Sequence, residues 1–211
     1  MGERVLKKKT PVASGFRGRP TTPFLRERIL GSAERLFAAT AFDLVTIDDV
    51  AADARVGKGS VYRQFGSKEE LYATVVIDGF IQLQSEIRAA LEKHESIADR
   101  IATIVSHTVK FFWSRRQFFE FLRDPRAVPR KLERQYRSER MKLSTMIVEL
   151  LKTAAAEGVV RDSLDARLAA EALLGMIRGV NRYSREYSSP AVAARTVVTI
   201  FLSGCLSTAA R

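Results

Sequence analysis

Residues 46 to 71, TIDDVAADARVGKGSVYRQFGSKEEL, leave this chain few ways to fold. Thr46 with Asp49, and Ser67 with Glu70, have the Ser/Thr-x-x-acid spacing in which a side-chain oxygen satisfies the free N–H groups of a helix start. Between these two starts, Val50, Ala51, Ala54, Val56, Val61 and Phe65 fall where two short crossed helices must pack. Lys58, Ser60, Tyr62, Arg63 and Gln64 are left to face outward. The spacing predicts a helix-turn-helix, and an outward face this rich in donors suits a DNA groove.

Helical periodicity continues on both sides. Phe24 to Thr40 has apolar residues at 29, 30, 33, 36 and 37 and serves as the first helix of a three-helix unit. After Ser67 a stripe runs through Leu71, Val75, Val76, Phe80, Leu83, Ile87 and Leu91. Ser96 with Asp99 predicts another cap, followed by Ile101, Ile104, Val105, Thr108, Phe111 and Phe112. RDPRAVPR at 123 to 130 then breaks the helix with two prolines. A stripe of Leu132, Tyr136, Leu143, Ile147, Leu150 and Ala154 ends at Gly158. Segments 165 to 187 and 190 to 208 complete the chain, with Ser189 capping and Pro190 in the first turn. No strand alternation and no short repeat is found. The expectation is all-α, about nine helices: an arm over 1–23, a helix-turn-helix domain over 24–70, and a larger helical domain over 71–211.

With 211 residues, 46% hydrophobic and 28% charged, the chain can bury a sizeable core. No run approaches the roughly 18 apolar residues of a membrane span, and MGERVLKKKTPVASGF lacks the apolar centre of a signal peptide. Gly2 is followed by Leu6 where a myristoylation signal has Ser or Thr. The expected location is the cytoplasm, with no membrane partner. Cys205 is the single cysteine, either a small core residue or a redox sensor, and with His94 and His107 it cannot supply four zinc ligands; no metal or cofactor is expected. No activated Ser or Cys with a partnered His, no paired metal ligands and no phosphate-cradling glycine loop point to an enzyme.

The net charge is +11, and its placement matters more than its size. Residues 1 to 23 carry Arg4, Lys7, Lys8, Lys9, Arg17 and Arg19 against Glu3, whereas residues 24 to 70 are close to balanced. Asp48, Asp49 and Asp53 crowd the first helix of the motif while the cations sit on the arm, the turn and the second helix. Arg17 and Arg19 in the arm suit a narrow minor groove, unless the arm is only a solubilising tail.

The stretch resembles the tetracycline-repressor (TetR) family, through Thr46, Val50, Ala51, Ala54, Val56, Gly59, Ser60, Val61, Tyr62, Phe65, Lys68 and Leu71. The resemblance extends upstream through Arg28, Ile29, Leu30, Ala33, Leu36 and Phe37, so it covers residues 24 to 72. It implies a transcriptional regulator, expected to be a repressor, that binds a palindromic operator in double-stranded DNA as a homodimer and is released by a small apolar or aromatic effector, with 71–211 as the effector-binding and dimerisation domain. Four positions depart from the pattern. Ala41 stands where a helix-ending Gly is usual, and Arg55 replaces a turn Gly, at about 1 to 2 kcal/mol if it adopts positive φ. Gly57 replaces a Ser or Thr cap, and Gln64 replaces His or Tyr.

By the same resemblance Thr46, Arg55, Lys58, Gly59, Ser60, Tyr62, Arg63, Gln64 and Lys68 occupy DNA-contacting positions. Chemistry divides them: Ser60 and Arg63 for base edges, Lys58, Tyr62, Gln64, Thr46 and Lys68 for phosphates. FFWSRRQFFEF at 111 to 121 concentrates Phe111, Phe112, Trp113, Phe118, Phe119 and Phe121 around the helix break. Such density lines a cavity or simply packs; in the first case His107, Thr108, Tyr136, Met141 and Met176 share the lining. The basic run 123–142 is a solvated face, or Arg123, Arg126 or Arg130 guides an anionic ligand. In segment 165–187, Leu173, Met176, Ile177, Val180 and Tyr183 suit the interior, whereas Ala172, Gly175 and Gly179 form a stripe for close helix approach. With Val197, Phe201 and Gly204 it is similar to the family's two-helix dimer surface, unless the glycines pack within the chain. The alternative function is a DNA-binding regulator with no small-molecule effector, controlled by a protein partner or by abundance.

Overall fold

Helix α1, Leu25–Ala39, buries Ile29, Ala33 and Phe37 completely, the stripe its periodicity predicts. Its end needs no glycine: Thr40 (φ −130°) and Ala41 (φ −58°) leave in extended backbone, so Ala41 carries no strain where the family pattern has Gly. A 3-10 turn, Phe42–Leu44, leads to α2, Ile47–Asp53, and α3, Lys58–Phe65. The computed structural model describes residues 24–93, 96–115, 128–183, 186 and 188–205. Arg17, Arg19, Phe118, Arg123 and Arg126 lie outside the described residues.

Helix α4, Lys68–Leu91, has 24 residues and is therefore about 36 Å long. Its N-terminal part packs on α1 and its remainder on α5, Ile97–Ser114, and α6, Arg130–Ala156. Helices α7, Ala166–Tyr183, and α8, Pro190–Cys205, close the bundle, α8 lying along α5 and α7 against α6. Eight α-helices thus lie among the described residues, against an expectation of about nine, and every regular element there is helical. None is long and apolar enough to cross a membrane.

Helix ends follow the local code. Ser96 accepts from the Asp99 N–H at 3.1 Å, and Ser189 from the Val192 N–H at 3.3 Å. At the end of α6, Val159 N–H reaches the Ala154 carbonyl at 2.9 Å and Gly158 N–H the Ala155 carbonyl at 3.0 Å. That is a Schellman stop, with Gly158 at φ 70°. Ion pairs stitch α1 to α5 and the start of α4 to the start of α6. Arg115, at the end of α5, donates Nε (3.0 Å) and Nη2 (2.6 Å) to one carboxylate oxygen of Glu34 on α1. Lys131, at the start of α6, pairs with Glu70 at the start of α4.

Candidate nucleic-acid interface and effector cavity

The turn between α2 and α3 is held from three sides. Thr46 accepts the Asp49 N–H at 3.1 Å, and the Asp49 carboxylate accepts the Thr46 N–H at 2.8 Å, a complete capping box. The side-chain and backbone bonds from Thr46 hold the Asp49 carboxyl below its ordinary pKa. At the other end of α2, Val56 N–H donates to the Ala51 carbonyl (2.9 Å) and Arg55 N–H to the Ala52 carbonyl (3.0 Å). This is again a Schellman geometry, but its left-handed position holds Arg55, at φ 54°, instead of glycine. The Arg28 guanidinium on α1 donates to the carbonyls of Ala54 (2.6 Å) and Arg55 (3.2 Å) and so braces the strained turn. Arg35 holds Asp53 at 2.7 Å, and bonds from Ser32 and Arg35 keep that carboxyl below its usual pKa. Arg28 matches the family pattern, but its bracing role carries no local signal in the sequence.

Helix α3 is anchored by Val61 and Phe65, one turn apart and both buried. Gly59 and Arg63, also one turn apart, sit about 160 to 200° round the helix from Val61 and are exposed. Tyr62 and Gln64 are exposed on the flanks, and Ser60 is half-buried. Gly57 caps α3 in extended backbone (φ −75°, ψ 142°) with no side-chain bond. Lys58 in the first turn pairs with Asp48 at 2.8 Å, and that carboxylate raises the lysine pKa. Thr46 is exposed at the start of α2, and Lys68, starting α4, lays its Nζ 4.3 Å over the Phe42 ring.

A second concave feature lies between α4, α5, α6 and α7: a cavity of about 230 Å³. Phe80, Phe112 and Tyr136 form one aromatic wall, with Phe80 6.2 Å from each of the other two ring centroids. Leu143, Leu174 and Ile177 complete the apolar part, and Thr108, Met141, Arg140, Ser144, Glu171 and Arg178 also line it. Burial raises the Tyr136 phenol pKa. Three expected lining residues, Thr108, Tyr136 and Met141, do meet here, whereas others do not. On α5, Thr108 and Phe112 share a face, and His107 and Phe111 lie about 100° round from it. His107 instead places Nδ1 3.8 Å from Glu86, and Phe111 is buried beneath the Arg115 guanidinium at 4.4 Å. Trp113 is half-buried outside the lining, and Met176 is two positions, about 200°, from Leu174. Arg130 is exposed and takes no part in the wall. The missed lining residues carry a readable signal: Arg140 and Ser144 follow Tyr136 at successive steps of four on one helix.

The expected dimer residues divide as well. Val197 and Phe201 are corrected to core positions, 1% and 5% exposed, because they lie on the face of α8 that packs inward. Tyr183, expected in the interior, is 68% exposed at the end of α7. Ala172 and Gly204 are exposed, and Gly175 and Gly179 half-buried. A Cβ added at Gly179 or Gly204 would meet no atom within 4 Å, and one at Gly175 only Arg178 Nη2 at 3.7 Å. Within the described chain, nothing packs closely on these glycines. Leu168 on α7, with Val192 and Ile200 on α8, leaves further apolar surface exposed on the same two helices.

Comparison with known proteins gives the following. Residues 29–75 match the family described as bacterial regulatory proteins, tetR family. Residues 94–205 match the tetracyclin repressor-like C-terminal domain. An uncharacterized HTH-type transcriptional regulator of Bacillus subtilis, YdeS, is 26% identical over 163 residues, 76% of this chain and 80% of the relative. Among solved structures, a putative transcriptional regulator from Saccharomonospora viridis in complex with choline is similar, with TM-score 0.75 and 19% identity over 86% of this chain and 97% of that one. The regulator FadR of Bacillus subtilis in complex with stearoyl-CoA has TM-score 0.72 and 15% identity over 85% and 98% of the two chains. At these identities the two structures establish a shared fold.

Proposed function

Since the chain belongs to the tetracycline-repressor family of bacterial regulatory proteins, DNA-binding transcriptional regulators and not enzymes, we propose that it is a homodimeric repressor of a palindromic operator, released by a small apolar or aromatic effector. Helices α1 to α3 are the reading unit, and α4 to α8 hold the effector and the partner subunit; residues 1–23 serve as an arm. The observation that carries the reading is α3 itself: a short helix fixed to the core by Val61 and Phe65, with Arg63 on the opposite, exposed side. In this reading the guanidinium pairs with a guanine edge, and Lys58, Tyr62, Gln64, Thr46 and Lys68 hold phosphates.

One short helix reaches only a few base pairs, so selectivity requires a second copy set about one helical turn away. The uncovered stripe of Leu168, Ala172, Gly175 and Gly179, with Val192, Ile200 and Gly204 beside it, supports that pairing surface. The cavity beneath Phe80, Phe112 and Tyr136 supports an effector, as do the ligands in the names of similar regulators, stearoyl-CoA and choline. An effector favouring the bundle shape with the readers wrongly spaced draws the population off DNA, to the extent of its differential affinity. Selection from a random duplex pool tests the reading. The expected result is an inverted repeat bound by a dimer; a single asymmetric half-site held by one subunit would sink it.

A further inference from the structure

We propose that the cavity between α4, α5, α6 and α7 takes a small organic carboxylate, its apolar body inside and its acid group held at the mouth by Arg140 and Arg178. The inference rests on the effector reading above and specifies its chemistry. The interior offers a charge little: its polar groups are the hydroxyls of Thr108 and Tyr136, and it carries no charged side chain. Phe80, Phe112, Leu143 and Ile177 are buried hydrocarbon, and the Thr108 hydroxyl is already donated to the Ile104 carbonyl at 2.7 Å. A ligand must therefore bring an apolar body to this part. At about 230 Å³ the space is below the roughly 300 to 1,000 Å³ of sites for drug-sized ligands, so that body is a single ring or a short branched chain.

The mouth is different. Arg140 and Arg178 line it with Glu171, which accepts from Ser144 at 3.0 Å, leaving one positive charge in excess. On the same helix as Arg140, Arg137 is paired with Glu133, Lys142 with Glu139 and Lys152 with Glu149, each three or four residues away. Arg140 has Tyr136, Arg137, Leu143 and Ser144 at those spacings, and Arg178 has Leu174, Gly175, Asn181 and Arg182. Helical geometry thus gives neither guanidinium a carboxylate of its own, and both are exposed at the opening. Two planar forks over an apolar hole suit a carboxylate, which each can bind in bidentate fashion. The same pair repels an ammonium group, although the aromatic wall alone would accept one.

Calorimetric titration of the full chain with 3-phenylpropionate, 3-phenylpropionamide, 3-phenylpropylamine and choline separates these chemistries. The expected result is that the acid binds at least about tenfold more tightly than the amide, and that the amine and choline bind more weakly still. Arg140→Gln with Arg178→Gln should remove the preference for acid over amide. Leu143→Trp, which fills the cavity, should abolish binding of both. Equal binding of acid and amide, or an acid preference that survives the double variant, overturns the carboxylate assignment and leaves an apolar effector site standing. Tighter binding of choline or the amine, or no binding by any of the four, overturns it as well. Amide binding unaffected by Leu143→Trp would instead remove the effector reading itself.

Discussion

Replacing Arg55 by glycine should stabilise this protein even though it deletes a side chain and a charge. Arg55 sits at φ 54° in the closing turn of α2, where a Cβ crowds the following carbonyl at about 1 to 2 kcal/mol. Glycine removes that crowding but frees the unfolded chain, which returns about 0.4 to 1 kcal/mol. The balance favours Arg55→Gly by about 1 kcal/mol, or about 2 to 4 °C in melting temperature for a chain of this size. The turn should keep its shape, because Arg28 grips the carbonyls of residues 54 and 55 whatever side chain stands there. Urea unfolding followed by circular dichroism gives the comparison. It must be run at one protein concentration, since the proposed dimer would make apparent stability concentration-dependent. Arg55→Ala is the control: it removes the same charge and keeps the Cβ, so it should show no comparable gain. If the alanine variant rises as much as the glycine variant, charge and not backbone strain governs the turn, and the reasoning fails.

Arg63→Ala should narrow the affinity gap between operator and random DNA, by about 1 to 3 kcal/mol for one lost base contact, whereas Lys68→Ala should weaken all sequences alike; parallel losses in a filter-binding comparison would refute the division of roles. Because its bonds to Thr46 depress the Asp49 pKa, the stability they contribute is present above the unfolded carboxylate pKa of about 3.9 and is lost as pH falls through the lower folded value. The stability difference between the wild type and Thr46→Ala should therefore shrink between neutral pH and pH 3, and a constant difference in urea titrations would count against it. Gly179→Leu places its Cβ more than 4 Å from the rest of the described chain and replaces a poor helix former, a gain of about 0.8 to 1 kcal/mol in propensity. It should leave the subunit folded yet shift sedimentation from dimer to monomer; an unchanged dimer would place the partner elsewhere.

The reading unit was largely legible because its determinants are local. Thr46 and Ser67 announce helix starts through neighbours three residues on, and Val61 and Phe65 announce the buried face of α3 by their spacing. Positive φ at Arg55 could be anticipated from the glycine it displaces. The bundle was less legible, because its choices are made between helices distant in sequence. Val197 and Phe201 have the same apolar character as Val192 and Ile200, and only the angular setting of α8 against α5 decides which pair is covered. Likewise Phe111 and Phe112 are adjacent rings of one kind, yet the phase of α5 sends Phe112 to the cavity and Phe111 beneath Arg115. Arg140 and Arg178 read as ordinary surface cations until α6 and α7 bring them to one opening.

The Glu34–Arg115 pair ties the first helix of the reading head to a residue two turns past Thr108, on the same α5 that walls the cavity. The Glu70–Lys131 pair joins the start of α4, the helix that follows the reading head, to α6 five residues before Tyr136. In the proposed reading, a tilt of α5 set by an effector passes to the head through the Glu34–Arg115 pair, as a wrench turns a bolt, so that a ligand small enough for this cavity would still redirect the reading helices.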